Sequence, residues 1–174
     1  MSNRQRTTIY RGTVINLGLE TAVLPNGEQL TLEIVRHPGG AVILAFDNRD
    51  YICLLRQFRY AVGGWIWELP AGVIDSSDEN PLETARRELR EEAGLEADDW
   101  VALPPILPTP GFCNEELFLY VARTLRDIGA HPNNDEHIEV HWKPLAEVMA
   151  MAIDGHIRDA KTIVALFHTI HAND

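Results

Sequence analysis

Short apolar runs broken by turn residues dominate the first third of the chain. Residues 8–14, 20–24 and 29–36 predict strands, with Pro25-Asn26-Gly27 turning between the last two. Together they predict a small antiparallel sheet of their own. Gly39-Gly40 breaks the pattern. Residues 41–46 and 51–55 are apolar runs separated by Asp47-Asn48-Arg49-Asp50, which predicts a buried hairpin. Residues 100–107, with three prolines from 104 to 108, fit no single element. Residues 117–122 and 138–142 predict strands, and 144–153 and 157–171 predict helices. The last helix places Ile163, Leu166, Phe167 and Ile170 on one face, a core stripe. Strands flanking central and C-terminal helices predict an α/β fold, a layered sandwich.

The central helix is the best marked. Asn80 suits the N-cap, Pro81 the first helical position, and Glu83 follows the cap by three residues. Gly94 suits a left-handed stop, and Leu95 an apolar closing contact. The helix is predicted over 81–93. Leu82, Ala85, Leu89 and Ala93 fall within roughly an 80° arc, the stripe to be buried. Glu88, Glu91 and Glu92 flank that stripe, where a cleft can run. Like charges at this spacing repel by a few tenths of a kcal/mol per pair. On charge alone a Glu-Glu pair reads as solvated surface. Three crowded carboxylates are also what a hard cation would compensate, since it prefers oxygen ligands. Arg87 is four residues from both Glu83 and Glu91 and can steady either.

Composition narrows the function. A length of 174 residues fits one domain with a small appendage, and 45% hydrophobic content suits a soluble core. No apolar run approaches the ~20 residues of a membrane span. The polar N-terminus carries no signal region, so a cytoplasmic protein is expected. Cys53 reads as a buried small hydrophobe and Cys113 as a loop residue, with no disulfide framework or zinc site. A net charge of −11 argues against a nucleic-acid partner, yet allows a small phosphate ester bridged to carboxylates by a metal. The seven histidines share no ligand spacing and read as structural or exposed.

The run Arg87-Glu88-Leu89-Arg90-Glu91-Glu92-Ala93-Gly94-Leu95, with Glu79 and Gly72 before it, resembles the signature of the Nudix hydrolase family. One departure stands out: six residues, not five, separate Gly72 from Glu79, which leaves the path of the 75–78 loop open. The stretches Leu55-Arg56-Gln57-Phe58-Arg59-Tyr60, Trp67-Glu68-Leu69-Pro70-Ala71-Gly72 and Pro108-Thr109-Pro110-Gly111-Phe112-Cys113-Asn114-Glu115 are similar to the ADP-ribose pyrophosphatase branch. The resemblance implies an α/β/α sandwich with a mixed sheet over residues 39–174. It also implies an N-terminal antiparallel sheet over 1–38 that helps form a homodimer.

The resemblance further implies Mg2+, or Mn2+, held by Glu88, Glu91, Glu92 and the backbone carbonyl of Ala71. Glu91 and Glu92 thereby become catalytic, and Glu136 is the expected general base, with Glu139 second. Substrate contacts are expected from Arg56, Arg59, Trp67, Glu68 and Glu115. For Glu68 a supporting carboxylate and a ribose contact both stay open. Trp65 and Trp67 each read as core or as a base-stacking surface. The implied reaction cleaves ADP-ribose to AMP and ribose 5-phosphate. GDP-mannose, NADH and dinucleoside polyphosphates are rival substrates. A nucleotide sensor without hydrolysis is disfavoured, because the box carboxylates are all present.

Overall fold

The computed structural model describes residues 5–75, 80–129 and 137–171. The described residues form a mixed α/β arrangement of three sheets and three α-helices. Strands β1 (Arg6–Arg11), β2 (Asn16–Val23) and β3 (Gln29–Arg36) form an antiparallel N-terminal sheet in the order β1-β2-β3. Strands β4 (Gly40–Ala45), β7 (Ala71–Val73), β8 (Leu95–Ala102) and β9 (Leu117–Asp127) form a second sheet, ordered β7-β4-β9-β8. Its β4–β9 pair is parallel and the others antiparallel, so this sheet is mixed. Strands β5 (Tyr51–Arg59), β6 (Gly64–Glu68) and β10 (Ile138–Pro144) make a third sheet, ordered β10-β5-β6.

The helices are α1 (Pro81–Ala93), α2 (Leu145–Ile153) and α3 (Ala160–His171). The unbroken apolar run of β4 explains the layering. Its Ala41, Ile43 and Ala45 pack with Ala85, Leu89 and Ala93 of α1. Its Val42 and Leu44, with Phe46 just beyond, pack with Val148 of α2 and with Ala165 and Leu166 of α3. A strand with helices on both faces has no polar side to show.

Two expectations are corrected. Residues 41–46 and 51–55 do not form a hairpin. A single bridge, Phe46 to Ile52, joins them, and β4 and β5 are interior strands of different sheets. An apolar run buried on both faces reports that covering layers exist, not which strand lies beside it. The face of α3 is also turned from the expected one. Thr162, Ala165, Leu166 and Thr169 are buried, while Ile163 and Phe167 are exposed. Two threonines replace apolar side chains at the interface, and one of them has a polar task described below. Residues 100–107 resolve into the end of β8 and an irregular proline segment.

The N-terminal sheet is fastened to the loop before β9. Val35 N–H donates to Phe112 O at 2.8 Å, and Asn114 N–H donates to Val35 O at 3.3 Å. His37 N–H donates to Asn114 Oδ1 at 2.9 Å.

Candidate active site

The expected caps set α1 in place. Asn80 Oδ1 accepts from Leu82 N–H at 3.0 Å, and Gly94 adopts φ 68° with its N–H on Arg90 O. Glu83 turns to Arg86 at 2.9 Å and does not reach Arg87. Burying Ala85 and Leu89 against β4 carries Glu88 and Glu92 inward, so both carboxylates are buried. They flank one peptide of β7. Glu92 Oε2 accepts from Ala71 N–H at 2.8 Å. Glu88 lies so close to Gly72 that a Cβ there would be 2.0 Å from its carboxyl carbon and Oε1. Only glycine admits this approach.

Arg87 steadies the carboxylates. Its Nη1 donates to Glu88 Oε1 at 2.6 Å and to Glu91 Oε2 at 3.3 Å, and its Nη2 donates to Val73 O at 3.0 Å. Burial works against the Arg87 charge, but Glu88, Asp75 and Glu91 outweigh it and hold its pKa above the usual arginine value.

Glu88 and Glu91 open onto a cavity of about 420 Å³, within the range of small-ligand sites. Arg59, Lys161, His37 and Glu115 line it as well. The oxygen-only donor set suits a hard divalent cation, and the Gly72 cradle lets backbone and carboxylate meet. Among the described residues no three His, Cys, Asp or Glu side chains converge on a single point.

A family model for the NUDIX domain matches residues 36–166. The chain belongs to the Nudix hydrolase family. It is 35% identical over 167 residues to the ADP-ribose pyrophosphatase of Mycobacterium tuberculosis, covering 95% of this chain and 80% of that one. It is 34% identical over 160 residues to the ADP-ribose pyrophosphatase of Bacillus subtilis, with 91% and 86% covered. A GDP-mannose pyrophosphatase of Pectobacterium atrosepticum is 36% identical over 148 residues, with 79% and 76% covered. Among solved structures, an ADP compounds hydrolase superposes with a TM-score of 0.81 at 22% identity, covering 98% and 94% of the two chains. It has the same fold.

In this Nudix site the remaining candidate residues separate. Arg56 and Arg59 are three apart on β5, so they project from opposite faces. Arg59 lines the cavity, and its Nε and Nη2 donate to Glu68 at 2.8 and 3.2 Å. Glu68 thus holds one edge of the Arg59 guanidinium, Nε with Nη2. Arg56 instead lies 5.3 Å over the ring of Trp65 and pairs with Glu139 at 3.3 Å. Trp67 packs against the core and meets His141 edge-on at 4.9 Å. Neither Arg56, Trp65 nor Trp67 lines the cavity. Glu68 is 1% exposed and lies behind the lining. Glu115 lines the cavity 3.6 Å from His37 Nδ1, which accepts from Gly39 N–H. Glu139 is exposed. Its hydrogen bond with His141 and the nearby Arg56 hold its pKa below the usual carboxylate range, which weakens it as a base. Glu79 and Glu136 lie outside the described residues.

Sequence reasoning missed Lys161, Asp159 and His37, which all line the cavity. The one local signal was Asp159 three residues before Thr162. Asp159 Oδ2 caps α3 by accepting from Thr162 N–H at 3.0 Å and Thr162 Oγ1 at 2.6 Å.

Proposed function

We propose that the protein hydrolyses the diphosphate bond of ADP-ribose, or of a closely related nucleoside diphosphate sugar, giving AMP and ribose 5-phosphate. The observation that carries this reading is one cavity lined by the α1 carboxylates Glu88 and Glu91 and by the cations Arg59 and Lys161. The ADP-ribose pyrophosphatases among its relatives support the choice of substrate. The GDP-mannose pyrophosphatase relative makes GDP-mannose the second substrate to assay.

Glu88, Glu91, Glu92 and the Ala71 carbonyl would hold Mg2+, with Mn2+ as the alternative. A divalent cation at this place supplies positive charge against the phosphates and makes a neighbouring water more acidic. Arg87 holds Glu88 and Glu91 in place through its Nη1. Glu92 fixes the Ala71 peptide through its N–H. Arg59 and Lys161 orient the diphosphate, and Glu115 contacts the substrate from the cavity lining. Glu136 takes the proton from the attacking water. Orientation of the reactants and charge neutralisation are the main sources of rate in such a reaction. Two unpaired thiols fit a reducing, cytoplasmic location. The reading includes a homodimer through the N-terminal sheet, taken as a subdomain of residues 1–38 ahead of a Nudix domain of 39–174.

The test is Glu92→Gln, which keeps an oxygen to accept from Ala71 N–H. Metal-dependent turnover of ADP-ribose should be lost while the thermal transition stays in place. A variant with the wild-type rate would remove Glu92 from the metal set.

A further inference from the structure

Glu68 has an unusual position for a residue expected at substrate. Its carboxylate is 1% exposed, and burying a carboxylate is costly unless charged partners meet it. Two cations do so, from different elements. Oε1 accepts from Arg59 Nε at 2.8 Å, and Oε2 accepts from Arg59 Nη2 at 3.2 Å and from Lys161 Nζ at 2.6 Å. Arg59 ends β5, and Lys161 lies in the first turn of α3.

Lys161 has a second partner, Asp159 Oδ1, at 2.9 Å. An ammonium carries three N–H donors, so these two bonds leave one for a ligand in the cavity that Lys161 lines. Burial works against the Lys161 charge, but Asp159 and Glu68 outweigh it and hold the pKa above the usual lysine value. The ammonium is therefore charged throughout the neutral range. The backbone around Glu68 is also fixed. Leu69 N–H donates to Thr162 Oγ1 at 3.0 Å, and Ala71 N–H donates to Glu92. The 68–71 segment is thus pinned to α3 at one end and to α1 at the other.

We propose that Glu68 is a positioning residue that never touches substrate but clamps Arg59 and Lys161 into a single two-cation grip for the diphosphate of a nucleoside diphosphate. The inference rests on the reading of the cavity given above and adds Glu68 to it, as the residue that couples the two cations. Each cation alone has a long, mobile side chain. Held by one carboxylate, both lose that freedom before the ligand arrives, and less ordering is left to oppose binding.

The experiment measures binding of ADP and of adenosine to the full chain by calorimetry in Mg2+, with ADP-ribose turnover measured in parallel. Glu68→Gln and Lys161→Gln should each weaken ADP binding by about tenfold or more, as for a lost charge-assisted hydrogen bond, and leave adenosine binding unchanged. The double variant should be weaker than either by clearly less than the sum, because the two side chains act as one unit. In turnover, KM should rise more than kcat falls. Wild-type ADP affinity in either single variant overturns the grip. So do strict additivity, equal losses for ADP and adenosine, or a wild-type chain that binds ADP no better than adenosine. If Glu68→Gln melts early, Glu68→Asp carries the same test, with the charge kept and withdrawn by one methylene. A wild-type chain that binds ADP but leaves ADP-ribose intact refutes the substrate reading and spares the grip.

Discussion

At the scale of single residues, the site depends on one absent side chain. Gly72 leaves room for the Glu88 carboxylate, which a Cβ would meet at 2.0 Å. Gly72→Ala should push Glu88 out of place and cut kcat/KM for ADP-ribose by about a hundredfold, the scale of a 1 Å misplacement. Steady-state kinetics on the purified variant checks this, and near wild-type turnover would mean that Glu88 does not need the approach. Cys53 shows the opposite condition, a side chain sealed beneath α1. Burial, with a smaller contribution from the Glu92 charge, pushes its thiol up to about 12. Cys113 is only half-buried. At about pH 8, where an ordinary thiol is partly ionised, a maleimide should label Cys113 and spare Cys53 until the chain unfolds. Mass spectrometry of the labelled peptides reads the outcome, and native labelling at Cys53 would contradict its burial.

Single elements differed in how openly the sequence declared them. Helix α1 was legible because its signals are local. Asn80, Pro81 and Gly94 act within a few residues of the termini they set, and the observed bounds are the expected ones. The α3 face was misread because two apolar positions, Ile163 and Phe167, outrank threonine on any hydrophobicity pattern. The structure instead buries Thr162, whose hydroxyl accepts from Leu69 N–H and donates to Asp159. Pattern cannot reveal a hydrogen bond to a residue so distant in sequence. Thr162→Val keeps the shape and removes the acceptor. It should destabilise the protein by about 1–3 kcal/mol, the cost of a buried donor left without a partner. Urea unfolding measures this, and an unchanged midpoint would show that water replaces the hydroxyl.

For the molecule as a whole, the N-terminal sheet is an element with apolar side chains left uncovered. It exposes Ile9, Tyr10, Val23 and Leu30, an apolar surface that a homodimer would cover. Sedimentation at neutral pH should give twice the 19.6 kDa chain mass, and a monomer at micromolar concentration would remove the dimer from the reading. The same sheet is cross-tied by Glu20, which pairs with Arg6 of β1 and Arg36 of β3. Arg36 chiefly, then Arg6, holds the Glu20 carboxyl below the usual carboxylate range, against a contribution from burial. Its stabilising effect is therefore complete above the ordinary glutamate value and lost as pH falls through the lowered folded value. The sheet should loosen below about pH 4, where glutamates protonate. Hydrogen exchange of β1 to β3 across that range follows it, and protection that persists into strong acid would deny Glu20 this role. No helix among the described residues is long and apolar enough to cross a membrane.

By itself the sequence determined α1, its caps, the three crowded carboxylates and the family, because these lie in continuous stretches where spacing alone fixes geometry. It also marked residues 41–46 as a buried apolar run, and the order of strands and helices as a layered sandwich. Only the tertiary structure decided that β4 and β5 part into different sheets, that Arg56 and Arg59 face apart, and that Lys161 of α3 meets Glu68 of β6. Those outcomes depend on packing between elements far apart in the chain. An apolar stripe carries the need for burial but not the name of its partner. A buried ion pair such as Glu68 with Lys161 leaves no periodic trace in either segment.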